Sequence, residues 1–94
     1  MNAKINCVGI IKETRSDEFR APLAPVHIEK LKNKYSHLSF VVQPSDLRSY
    51  KNQEYEKSGA IINDDLSKCD IILGVKEIDP KKLLYSKTYI FFSH

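Results

Sequence analysis

Three side chains of this 94-residue sequence could bind anions or move protons if folding gathered them: Arg20, Lys76 and His94. The planar guanidinium of Arg20 offers paired donors that match a carboxylate. Lys76 follows the apolar run Ile71–Val75, and His94 follows the run Thr88–Phe92. A strand end of that kind should hold each side chain rigidly and partly withdraw it from water. Desolvation lowers the pKa of an ammonium or an imidazolium, which makes both usable acid–base groups near neutral pH. A carboxylate clamp beside two tunable bases suits a small amino-acid or keto-acid substrate, and it does not suit phosphate, a metal or DNA. Lys12 and Glu77 are further candidate substrate contacts. Each choice has a structural alternative: a Lys76–Glu77 surface ion pair, an Arg20 that bridges a loop, a frayed His94, and ordinary loop charges at Lys12-Glu13. His27 and His37 read as solvated.

The elements that must position these residues alternate between apolar runs and amphipathic stretches, the pattern of βαβ units. Ile5–Ile11 is the first strand. Ala24, Ile28, Leu31 and Tyr35 then recur at helical spacing, with Pro25 in the first turn, and predict a helix ending near Ser36. Leu38–Val42 is the second strand. Asn52 should cap a short helix through Ser58, with Gly59 at its left-handed end. Ala60–Ile62 is a short strand, Asp64 or Asp65 caps one helical turn through Lys68, and Asp79-Pro80 opens a turn or short helix through Leu84. Ile71–Val75 and Thr88–Phe92 complete about five strands. The last two runs are continuously apolar, as in strands buried on both faces of a parallel sheet. The expected fold is therefore α/β, a mostly parallel sheet with flanking helices. Parallel sheets carry their sites beyond the carboxyl ends of the strands. There stand Lys12, Glu13, Arg15 and Arg20 after the first strand, then Gln43, Ser45 and Arg48 after the second. Lys76 and Glu77 follow the fourth, and Ser93 and His94 the fifth.

Composition narrows the function classes. The chain is 41% hydrophobic and 29% charged, which is ordinary for a globular domain, and its length suits one domain over residues 1–94. The net charge of +3 comes from scattered lysines rather than a basic stripe, so no nucleic-acid partner is expected. No apolar run approaches a membrane span, and no targeting segment is visible, which makes the cytoplasm the default location. Cys7 and Cys69 read as small buried hydrophobes, not as zinc ligands or a disulfide. Gly9, Gly59 and Gly74 form no glycine-rich strand–helix turn, so no dinucleotide site of the usual kind is expected in this chain.

Several separated segments carry a resemblance. Val8-Gly9-Ile10-Ile11-Lys12-Glu13-Thr14 and Phe19-Arg20-Ala21-Pro22-Leu23-Ala24-Pro25 resemble the opening of the alanine dehydrogenase and transhydrogenase N-terminal domain family. Gln43-Pro44-Ser45, Glu54–Ala60, Ile72–Glu77 and Lys87–His94 resemble the lysine-ketoglutarate reductase (saccharopine dehydrogenase) branch. The departures are Asp46 and Leu47 after the Gln-Pro-Ser segment, where the branch often has a polar and a basic residue. The resemblance implies a Rossmann-like or flavodoxin-like catalytic domain that binds substrate. It gives Arg20 a substrate carboxylate, and it gives Lys76 and His94 acid–base roles at the carbon that accepts hydride. The implied parent is an oxidoreductase of lysine degradation. It condenses lysine with 2-oxoglutarate and reduces the imine to saccharopine with the reduced cofactor, NADPH or NADH. Alternatives are the NAD-linked lysine-forming saccharopine enzyme, alanine dehydrogenase, or a stand-alone non-catalytic ligand-binding module. The resemblance also implies a cofactor-binding Rossmann domain that this chain lacks. The chain alone is then expected neither to bind nicotinamide tightly nor to turn over, and its unfinished sheet could self-associate.

Overall fold

A computed structural model describes residues 5–14, 17–76, 81, 83–84 and 86–92. The order of elements is β1 (Cys7–Ile10), α1 (Pro25–Lys34), β2 (Ser39–Val42), α2 (Asn52–Lys57), β3 (Ile61–Ile62), β4 (Ile71–Gly74) and β5 (Thr88–Phe91). The strands form one parallel sheet in the order β3-β2-β1-β4-β5, so β1 lies at its centre. The chain builds outward from β1 to β2 and β3, then returns to place β4 on the other flank of β1. That reversal makes a crevice beyond the carboxyl ends of β1 and β4.

Alternation along the strands divides the core into two layers. On one face Ile10, Phe40 and Val42 pack with Ile28 of α1 and Tyr55 of α2. On the other, Cys7, Ile11, Val41 and Ile72 pack with Leu66 and Cys69 from the segment between β3 and β4. Burying these side chains contributes roughly 1.5–3 kcal/mol for each large aliphatic or aromatic one. The expectation that both of the last strands are buried on both faces fails for each, because Ile71 and Leu73 of β4 are only half-buried and Ile90 of β5 is exposed. Both helices sit over β1–β3 on one face, which leaves Ile71, Leu73 and Ile90 along an open apolar groove of about 540 Å³.

The local signals were mostly of the expected kind. Pro25 is the first residue of α1, where its missing N–H costs nothing. Gly59 follows α2 with φ +104°, a conformation that suits glycine. Three expectations need correction. Asn52 does not cap α2: Lys51 holds that position, and Asn52 Oδ1 instead accepts from the Ser45 amide at 3.0 Å. No helical turn forms at Asp64–Lys68, because Asp65 accepts from the Ser67 amide at 2.9 Å in a local turn. His27, though exposed, is not merely solvated; its Nδ1 accepts from the Ala24 amide at 3.1 Å and closes the start of α1. The expected turn at Asp79-Pro80 lies outside the described residues.

Candidate functional site

The crevice is built from three loops that leave β1, β2 and β4. Glu13, just beyond β1, reaches across to the end of β4. Its carboxylate accepts from the Val75 amide at 3.0 Å and from the Lys76 amide at 2.8 Å. Hydrogen bonds to an ionised acceptor are among the stronger ones in proteins. Glu13 thereby fixes the backbone that presents Lys76, whose side chain is half-buried.

Arg20 stands nearby but is not free. Glu18 Oε2 accepts from Arg20 Nε at 2.9 Å and from the Arg20 amide at 3.0 Å, and Glu18 Oε1 accepts from Nη2 at 2.9 Å. One edge of the guanidinium fork is thus taken by a carboxylate of the same loop. That contact is of the loop-bridging kind named as the alternative for Arg20, and the Arg20 side chain remains 63% exposed. Glu18 is buried, and Arg20 beside it holds its carboxyl down at about 2. The Lys76 ammonium also acts on Glu18 in the same direction. Arg20 thus holds Glu18 by direct hydrogen bonds, and Lys76 acts on it only through its charge.

Gln43 joins the loops on the other flank. Its Oε1 accepts from the Lys12 amide at 2.9 Å, and its Nε2 donates to the Asp64 carbonyl at 2.8 Å. Its own carbonyl accepts from Arg48 Nη2 at 2.9 Å. Lys12 is exposed, and with Glu13, Pro44, Ser45, Asp46 and Leu47 it lines a hollow of about 510 Å³. Arg15, Glu77, Ser93 and His94 lie outside the described residues. Lys12, Arg20 and Lys76 all stand in segments that follow β1 or β4.

Sequence reasoning missed the parts played by Glu13 and Glu18. Glu18 carried a usable signal: an acid two positions before an arginine, in extended chain, puts both side chains on one side. Glu13 carried none, since its partners are backbone amides 62 and 63 residues away.

A Cβ at Gly9 would lie 2.9 Å from Cys69 Sγ, and one at Gly74 would lie 2.8 Å from the Phe91 ring. Both glycines serve close packing inside the sheet, and Gly59 ends α2. No group of three or more His, Cys, Asp or Glu suited to a metal ion occurs among the described residues.

The chain is 44% identical over 77 residues to the mitochondrial alpha-aminoadipic semialdehyde synthase of Bos taurus, a match covering 82% of this chain and 8% of the relative. The enzyme of that name from Arabidopsis thaliana is 41% identical over 92 residues, 93% of this chain and 9% of the relative. The mitochondrial one from Rattus norvegicus is 45% identical over 77 residues, again 82% and 8%. The chain thus spans less than a tenth of the length of these relatives. The family described as alanine dehydrogenase/PNT, N-terminal domain, matches residues 9–94. By that match and by these relatives, the chain belongs to the alanine dehydrogenase/PNT N-terminal domain family.

Proposed function

We propose that this chain is the substrate-binding part of a nicotinamide-dependent lysine-ketoglutarate reductase, which joins lysine to 2-oxoglutarate by reductive condensation. The observation that carries the reading is the Glu13 bridge to the Val75 and Lys76 amides, which presents Lys76 at the sheet's switch point. The relatives named alpha-aminoadipic semialdehyde synthase support a reading in amino-acid chemistry. NADP or NAD belongs to the parent protein.

In this reading each side chain has one task. Arg20 keeps its Glu18-bound edge as a support and offers its outer N–H groups to a substrate carboxylate. Lys76 exchanges a proton with the substrate nitrogen or the departing hydroxyl as the imine forms, and His94 shares that work. Lys12 and Glu77 border the same substrate.

The test is NAD(P)H oxidation by the full-length parent with lysine and 2-oxoglutarate. Turnover is expected, with a loss of roughly 10²–10⁴-fold in Lys76→Met, as for removal of a general acid–base group. Activity on pyruvate plus ammonia, with none on lysine, would remove the assignment.

A further inference from the structure

Arg48 is a charged side chain whose partners in the fold do not account for it. Its Nη2 donates to the Gln43 carbonyl at 2.9 Å, and its guanidinium stacks 5.2 Å from the centre of the Tyr55 ring. Tyr55 is fully buried, and its hydroxyl donates to the Leu23 carbonyl at 2.7 Å, so the platform is rigid. Nη1 is buried and has no hydrogen-bond partner. Among the described residues no carboxylate forms an ion pair with Arg48; the one ion pair found there is Arg20–Glu18. Glu13 influences Arg48 electrostatically, yet its two oxygens are already engaged by backbone amides. An unsatisfied buried donor is costly, more so on a cation, and calls for an acceptor supplied from elsewhere.

The location says what that acceptor could be. Beside Arg48 opens a hollow of about 350 Å³ lined by Ser45, Asp46, Lys51, Asn52 and Gln53. It shares Ser45 and Asp46 with the hollow at Lys12 and Glu13. The Ser49 amide and hydroxyl donate to the Phe19 carbonyl at 2.8 Å and 3.0 Å, which ties the residue after Arg48 to the residue before Arg20. Two guanidinium groups are thus carried on loops stitched together at the rim. A guanidinium matches a carboxylate in shape and charge.

We propose that Arg48 binds the second carboxylate of a dicarboxylic 2-oxo acid and so selects that substrate class over monocarboxylic ones. This rests on the functional reading above and deepens it. Arg48 itself lines the hollow, so an acceptor that enters there meets the guanidinium, whose plane is held by Tyr55 and the Gln43 carbonyl.

The experiment compares the full-length protein with Arg48→Met and Arg48→Lys, with lysine as the amine. In Arg48→Met the ratio of kcat/KM for 2-oxoglutarate to that for 2-oxobutyrate falls by roughly tenfold or more, as expected when a charged hydrogen bond is lost. KM for lysine stays within about twofold. Arg48→Lys, which keeps the charge but not the fork, falls between the two. An unchanged ratio, with both keto acids affected equally, overturns the proposal. A second arm needs no turnover: glutarate, but not butyrate, raises the melting temperature of the unsubstituted protein, and the rise is lost in Arg48→Met. If Arg48→Met does not fold, Arg48→Lys carries this arm with a reduced rise. No rise with the unsubstituted protein, or an equal rise in the variants, overturns the proposal. Failure to act on lysine with any 2-oxo acid would remove the functional reading, and the glutarate arm would still decide Arg48.

Discussion

At the amino-terminal edge of the sheet, Asp70 Oδ2 accepts from the amides of Asn6 at 2.8 Å and Cys7 at 3.0 Å. At the carboxyl-terminal rim, Glu13 accepts from the amides of Val75 at 3.0 Å and Lys76 at 2.8 Å. The two arrangements are reciprocal. Asp70 stands just before β4 and holds the entry to β1; Glu13 stands just after β1 and holds the exit from β4. Each carboxylate ties down two successive amides across the central strand pair, yet the two ends serve different purposes. The amides held by Asp70 lead into a sealed layer, where Cys7 Sγ touches Cys69 Sγ at 3.2 Å and Cys69 is fully buried. Those held by Glu13 lead to a half-exposed lysine whose charge acts on Glu18. The bond itself is a clamp, and the side chain presented next to it decides whether the clamp serves packing or chemistry.

The sealed end gives the largest contrast. Burial pushes the Cys69 thiol up to about 12. At pH 8 only on the order of 10⁻⁴ of it is thiolate, so iodoacetamide should label it about a thousandfold more slowly than an ordinary cysteine until denaturant is added. Rapid labelling of both cysteines in the native protein would mean that this end opens as freely as the rim.

The two clamps themselves separate next. In the full-length parent, Glu13→Ala removes two charge-assisted bonds, each worth about 1.5–3 kcal/mol. Because they fix Lys76, kcat with lysine and 2-oxoglutarate should fall roughly 10–100-fold, the cost of a misplaced reacting group. Asp70→Ala should leave kcat within about twofold and lower the melting temperature by several degrees. Equal losses of kcat in the two variants would erase the distinction between a packing clamp and a presenting one.

Acid is the mildest probe. The Asp70 carboxyl is held below its ordinary value by the Asn6 and Cys7 amides, and Glu18 is held at about 2 chiefly by the Arg20 hydrogen bond. A carboxyl whose pKa is lower when folded stabilises fully above its unfolded value and loses that contribution as pH falls through the folded one. For Glu18 the window runs from 4.5 down to about 2. Glu18→Gln should flatten the fall of melting temperature across that window, measured by circular dichroism, while the part due to Asp70 persists. A profile unchanged by Glu18→Gln would mean that the rim pair contributes nothing to acid stability.

Much of the architecture was legible in one dimension. The apolar runs at Cys7–Ile10, Ser39–Val42 and Ile71–Gly74, the proline that opens α1 and the glycine that ends α2 are local signals, because strand pairing and caps draw on neighbouring residues. The strand-end rule likewise placed Lys12 and Lys76 just after apolar strands, as β1 and β4 show. Side-chain partnerships were a different matter. That Arg20 spends one edge on Glu18, that Glu13 reaches Val75 and Lys76, and that Arg48 is left with an unanswered donor all depend on which loops the sheet order makes neighbours. The exposure of Ile90 has the same origin, since an apolar run shows that a strand can be buried and only the placement of the helices shows which faces are. Residue type and spacing thus determined the strands, the helices and the end of the sheet where charge collects. The direction of each hydrogen bond was decided in three dimensions, because partners 62 positions apart meet only once β4 returns to the side of β1.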